Sequence, residues 1–73
     1  MRNVRYLIND QFNAHSIAED LRVQLDVNRF SNINVVAVER RNEVIVQVPE
    51  ANGSVEEVVD SFMENYQTGV ILE

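Results

Sequence analysis

Hydrophobic and polar residues alternate at the start of the chain. In residues 3–9 one side carries Val4, Tyr6 and Ile8, and the other carries Arg5, Leu7 and Asn9. This period of two predicts a first strand. After Gly69, the apolar run Val70-Ile71-Leu72 predicts a short last strand.

Residues 33–48 show the same alternation on both sides of a polar break. We expect a β-hairpin whose turn is Arg41-Asn42 and in which Arg40 pairs with Glu43. Pro49 should end its second strand, because proline cannot donate to a strand ladder. Ala51-Asn52-Gly53 should then form a loop.

The remaining segments have the period of an α-helix. Ser16 with Glu19, and Ser54 with Glu57, have the spacing of capping boxes that open helices. A stripe of apolar residues along one side of the helix follows each capping box. The first stripe comprises Ile17, Ala18, Leu21 and Leu25. The second comprises Val55, Val58, Val59, Phe62, Met63 and Tyr66. Gly69 should mark the end of the second helix.

The predicted order β-α-β-β-α-β is that of the α+β, ferredoxin-like fold, here as a single domain over residues 1–73. Right-handed crossovers place both helices on one face of a four-stranded antiparallel sheet with strand order 4-1-3-2. The predicted core comprises Val4, Tyr6, Ile8, Ile17, Leu21, Leu25, Val35, Ala37, Val44, Val46, Val59, Phe62 and Tyr66.

The sheet face away from the helices is predicted to be apolar. It should carry five aliphatic side chains: Leu7, Val36, Val38, Ile45 and Ile71. A patch of a few hundred Å² is typical of an interaction site. The alternative is that the stems of long polar side chains shield it, those of Arg2, Arg5, Arg40 and Gln47.

Charge distinguishes the two layers. Twelve acidic residues outnumber six basic ones, giving a net charge of −6, and every basic residue is arginine. Glu56, Glu57, Asp60 and Glu64 should share the outer side of the second helix, while most arginines lie on the sheet and its hairpin. An acidic helix face is typical of ordinary solvated helices, or of an inhibitor that mimics nucleic acid.

Composition narrows the function classes. Because the longest apolar run is Val35–Val38, we expect no membrane-spanning segment. The absence of cysteine fits a reducing compartment, and we expect a cytoplasmic protein. The negative charge argues against direct binding to nucleic acid. RNA-recognition modules of this topology carry aromatic residues on the two central strands, where this chain has Arg5, Leu7, Ile45 and Gln47.

No constellation of catalytic or metal-binding residues stands out. His15 is the only histidine and has Asp10 and Glu19 nearby, a poor ligand set for a metal. The serines lack a histidine partner at a diagnostic spacing, and two glycines cannot build a phosphate loop. We expect no cofactor, no metal and no enzymatic activity.

The layout resembles heavy-metal-associated domains in topology over nearly the whole chain. Those domains carry two cysteines before the first helix, where this chain has residues 10–15, Asp-Gln-Phe-Asn-Ala-His, so copper carriage is not supported. It also resembles ACT-type regulatory modules, but lacks a glycine-centred ligand turn after the first strand. Fold alone does not assign a function.

Three hypotheses follow. The first is a non-enzymatic protein–protein interaction module, a homodimer through the apolar sheet face. The second is an acidic inhibitor or nucleic-acid mimic, of the kind viruses encode, that binds a basic partner protein. The third is a small-ligand regulatory module.

Overall fold

The computed structural model describes residues 2–48 and 53–72. Its elements are strand β1 (Arg2–Ile8), helix α1 (Ala14–Val27), strand β2 (Asn34–Val38), strand β3 (Glu43–Val48), helix α2 (Gly53–Met63) and strand β4 (Gln67–Leu72). A 3-10 turn, Glu39–Arg41, joins β2 to β3. The predictions that Pro49 ends a strand and that Ala51-Asn52 begin a loop fall outside the described residues.

The four strands form one antiparallel sheet in the order β2-β3-β1-β4. This is the predicted order 4-1-3-2 read from the other edge, so the ferredoxin-like α+β prediction is confirmed. Both helices pack on the same face of the sheet, because the buried residues of α1 and α2 belong to one cluster with alternate residues of β1, β2 and β3.

The core differs from the prediction at its margins. Ala37, Phe62 and Tyr66 are only partly buried and pack against it. Five residues outside the predicted list are fully buried: Ala14, Ala18, Val48, Val55 and Met63. The two alanines lie on the buried side of α1, where small side chains let the helix approach the sheet closely.

The start of α1 is set by Asn13 and not by the predicted Ser16–Glu19 capping box. The Asn13 side chain accepts hydrogen bonds from the backbone N–H groups of His15 and Ser16. The helix begins at Ala14, and the added turn extends its buried stripe. Likewise α2 begins at Gly53, so Ser54 lies inside its first turn and does not precede it.

The hairpin between β2 and β3 has a longer loop than predicted. Glu43 pairs with Val38 and not with Arg40, which leaves residues 39–42 as the connection. A two-residue type I′ turn needs positive φ at both positions, whereas here only Asn42 has it, with φ 51°. Because the register differs by two residues, every side chain stays on its predicted face.

Asn42 connects this loop to the segment between β1 and α1. Its Nδ2 donates to the carbonyl oxygens of Ile8, Asn9 and Phe12, and its Oδ1 accepts from the backbone N–H of Ala14. The backbone carbonyl of Asn42 also accepts from the Ile8 N–H at 2.9 Å. One side chain thus fixes the end of β1 and the entry to α1.

The end of α2 also differs from the prediction. The helix ends at Met63, and Gly69 lies inside β4, which is longer than expected. Gly69 pairs with Leu7, and a side chain there would meet Leu7 Cδ1 at 3.4 Å. Gly69 therefore lies within the sheet, where a side chain would make ordinary van der Waals contact with Leu7, and it does not terminate the helix.

The Asn42 contacts predict a large effect of its substitution. We expect Asn42→Ala to lower the free energy of unfolding by about 2–4 kcal/mol, because several backbone groups lose partners and alanine disfavours positive φ. Urea denaturation measures the loss. Asn32→Ala is the matched control: Asn32 also has positive φ, 63°, but is exposed, so it should lose only about 1 kcal/mol. Equal losses in both variants would contradict the role of the Asn42 side chain.

Candidate interaction surfaces

The sheet face away from the helices, called the open face below, is organised in rows across the strands. One row runs Val36, Ile45, Arg5, Ile71, and the next runs Val38, Glu43, Leu7, Gly69. The third contains Asn34, Gln47 and Asn3. All five aliphatic residues predicted for this face therefore lie in two adjacent rows.

The aliphatic side chains of the open face remain accessible to different degrees. Val36 is 49% and Ile71 43% exposed, whereas Leu7, Val38 and Ile45 are half-buried by their neighbours. The two most exposed lie at opposite ends of one row, on the two edge strands. Apolar side chains are therefore most exposed at the two edges of the open face.

An ion pair that sequence reasoning missed lies in the middle of the open face. Arg5 donates to Glu43 Oε1 from Nη2 at 2.8 Å and from Nε at 3.2 Å. Glu43 is only 6% exposed. The alternation predicts that the two residues share a face, but their diagonal contact depends on the register between β1 and β3, which alternation does not give.

Some of the long polar side chains that were predicted to shield the open face do lie over it, and others do not. Arg5 lies over the face, and Gln47 accepts a hydrogen bond from Asn34 at 2.8 Å at one end of it. Arg2 lies on the other face, where it pairs with Glu56 of α2. Arg40 is exposed in the 3-10 turn. The long polar side chains therefore cover the centre and one end of the open face and leave its two edges apolar.

The four acidic residues predicted for the outer side of the second helix lie beside two different grooves, and the last of them, Glu64, follows the end of α2. Glu56, Asp60 and Glu64 line an open groove of about 570 Å³ between α2 and β4, called the acidic groove below. Its other lining residues include Tyr6, Val70 and Leu72. Glu57 lies instead beside a second groove, between the two helices, with Gln24 and Phe62.

Tyr6 lies at the base of the acidic groove. Its side chain is 1% exposed, and its hydroxyl donates a hydrogen bond to Asp60 Oδ1. Burial, followed by the hydrogen bond and the charge of Asp60, raises the pKa of Tyr6 well above its ordinary value. The hydroxyl therefore stays protonated and donates one hydrogen bond to a groove carboxylate.

His15 lies on the exposed side of α1. Its Nε2 is 3.1 Å from Glu19 Oε1, one turn away, and both side chains are more than half exposed. Within residues 2–48 and 53–72, no three histidine or carboxylate side chains come close enough together to hold a metal ion. No helix in these residues combines the length and the apolar character needed to cross a membrane.

Comparison with protein-family models, with curated proteins and with solved structures finds no match for this chain. Function is therefore inferred from two surfaces of the molecule. They are the open face with its central ion pair, and the acidic groove beside β4.

The raised pKa of Tyr6 predicts a loss of stability at high pH. Below about pH 10, tyrosine is protonated in both the folded and the unfolded chain. Above it the unfolded chain releases the Tyr6 proton while the folded protein keeps it, so the free energy of unfolding falls as pH rises. Urea denaturation between about pH 8 and 11 should show this fall in the native protein and a shallower one in Tyr6→Phe.

Tyr66→Phe is the control for this measurement, because Tyr66 is only half-buried and does not contact Asp60 in the described hydrogen bonds. It should retain the steep pH dependence. A Tyr6→Phe variant with the same pH dependence as the native protein would rule out the Tyr6–Asp60 interaction as its source.

Proposed function

We propose that the protein is a small non-enzymatic interaction module that self-associates through its open face. The observation that carries the proposal is the two-row arrangement of Leu7, Val36, Val38, Ile45 and Ile71 on the uncovered side of the sheet. Removing such side chains from water on association is favourable in proportion to the apolar area covered. A two-fold pair of identical faces is the simplest arrangement that covers it.

Charge favours a second copy as the occupant. The chain carries a net charge of −6, yet the Arg5–Glu43 pair makes the centre of the open face neutral. The carboxylates of α2 lie on the opposite side of the sheet, away from a face-to-face contact. Two copies can therefore meet through this face without bringing their acidic residues together.

Polar groups on the face are already satisfied within one copy. Among the described residues, no buried side-chain nitrogen or oxygen lacks a hydrogen-bond partner. Arg5 and Glu43 pair with each other, and Asn34 pairs with Gln47. Covering the face does not leave an unpaired charge, which is the main cost of burying polar groups at an interface.

The size of the face sets the expected strength. Four strands about 4.8 Å apart, with five to six residues at about 3.4 Å each, outline roughly 350 Å² per copy. Two copies would cover about 700 Å² in total, which is below the range of stable specific interfaces and in the range of weak, transient ones. We therefore expect a dimer that dissociates on dilution, with a dissociation constant in the micromolar range.

The first measurement is the solution mass across a tenfold dilution series, by size exclusion with light scattering. The native protein should approach twice its 8.4 kDa monomer mass at the concentrated end. Val36→Asp and Ile45→Asp should weaken association at least tenfold, because the dimer would bury a carboxylate without a partner. Val38→Asp tests the second row in the same way.

Val23→Asp is the matched control. Val23 is 63% exposed on α1, so the same substitution adds the same charge away from the open face. It should leave the mass unchanged. A native protein that is monomeric throughout, or a Val23→Asp variant that dissociates as readily as Val36→Asp, would contradict the proposal.

A further inference from the structure

The two edges of the sheet expose different backbone groups. The Ile8 N–H bonds to Asn42 on the β3 side, and the Asn9 N–H bonds to Tyr66 on the β4 side. Backbone N–H and C=O groups point to alternate sides along a strand, so those of Arg5 and Leu7 point towards β4. There they pair with Ile71 and Gly69. The N–H and C=O groups of Val70 and Leu72 consequently point outward from β4.

The outer edge of β2 has one carbonyl oxygen already bonded to a side chain. The same alternation applies to β2, which pairs with β3 on its inner side. The N–H and C=O groups of Val35 and Ala37 therefore point outward, away from β3. Arg22 of α1 donates from Nη2 to the Val35 carbonyl oxygen at 2.7 Å. A charged side chain placed over an edge is a common protection against strand addition.

The outer edge of β4 has no such protection within the described residues. No side chain there hydrogen-bonds to the backbone of Val70 or Leu72. The side chains of Val70 and Leu72 are 42% and 61% exposed, and Ile71 is 43% exposed on the open face. Among residues 2–48 and 53–72, β4 thus offers backbone groups that no side chain caps, together with apolar side chains on both faces of the strand.

The acidic groove determines which strand suits this edge. A strand added beside β4 would place alternate side chains on the helix side, next to Glu64, Asp60 and Glu56. Basic side chains there would meet carboxylates. A second copy of β4 would instead bring two acidic grooves together, which like-charge repulsion opposes.

We propose that the β4 edge binds an extended segment of a partner protein as a fifth strand. The segment alternates basic side chains, which face the acidic groove, with apolar side chains, which extend the open-face row that ends at Ile71. Backbone pairing with Val70 and Leu72 supplies the attachment, and the alternation supplies the specificity. The inference does not depend on self-association through the open face.

A synthetic nine-residue peptide of alternating lysine and valine is the probe, with binding measured by calorimetry. The native protein should bind it, and added salt should weaken the binding. Two control peptides test the two parts of the proposal. One has glutamate in place of lysine, and the other is N-methylated at every residue, and neither should bind.

Val70→Pro tests the edge directly. It removes the outward N–H at position 70 while leaving the Gly69 and Ile71 pairing with β1 in place. Binding should fall at least tenfold in a variant whose circular dichroism and dimer mass match the native protein. Conversely, Val36→Asp should alter the mass and leave peptide binding intact, which separates this proposal from the previous one.

Glu64→Gln tests the groove and does not depend on Val70→Pro folding. It should weaken peptide binding about two- to fivefold, as expected for one exposed charge pair. Glu57→Gln removes the same charge beside the second groove and not the acidic groove, so it should change binding less. Equal effects of the two variants, binding of the glutamate or N-methylated peptide, or unchanged binding in a folded Val70→Pro variant would each overturn the proposal.

Discussion

The side chain of Asn42 holds together three parts of the fold that are far apart in sequence. It bonds to the end of β1 and the start of α1 while its own backbone closes the β2–β3 loop in a left-handed conformation. That loop sets the hairpin register, and the register decides which residues are neighbours on the open face. The pairing of Val36 with Ile45 and of Val38 with Glu43 depends on it. The position of Glu43 beside Arg5 depends on the pairing of β3 with β1.

In the proposed interface, the Arg5–Glu43 pair makes the open face selective. Ion pairs inside apolar surfaces contribute little net stability, because removing two charges from water offsets their attraction. A partner that covers the face must leave both charges paired and still contact the surrounding aliphatic residues. A purely apolar patch would accept many partners, whereas this arrangement rejects those that disturb the pair.

The sequence predicted the faces of the strands better than the ends of the elements. A strand has a period of two, so alternation placed Val4, Tyr6 and Ile8 in the core whatever their partners were. The helix start at Asn13 and the loop at 39–42 involve Asn42, whose partners lie about thirty residues away. The separation of Glu57 from Asp60 and Glu64 depends on where β4 lies beside α2, which helical periodicity alone does not give.

The hydrogen bond from Arg22 to the Val35 carbonyl oxygen has a consequence for how large an assembly can become. If both edges of the sheet were free, β4 of one molecule could join β2 of the next, and a contact between unlike surfaces that does not close generates an open-ended filament. Strand addition at β2 would have to break the bond between Arg22 and Val35, which disfavours head-to-tail growth at its first step. Strand addition as proposed, at β4 alone, ends with a finite complex and not with a fibre.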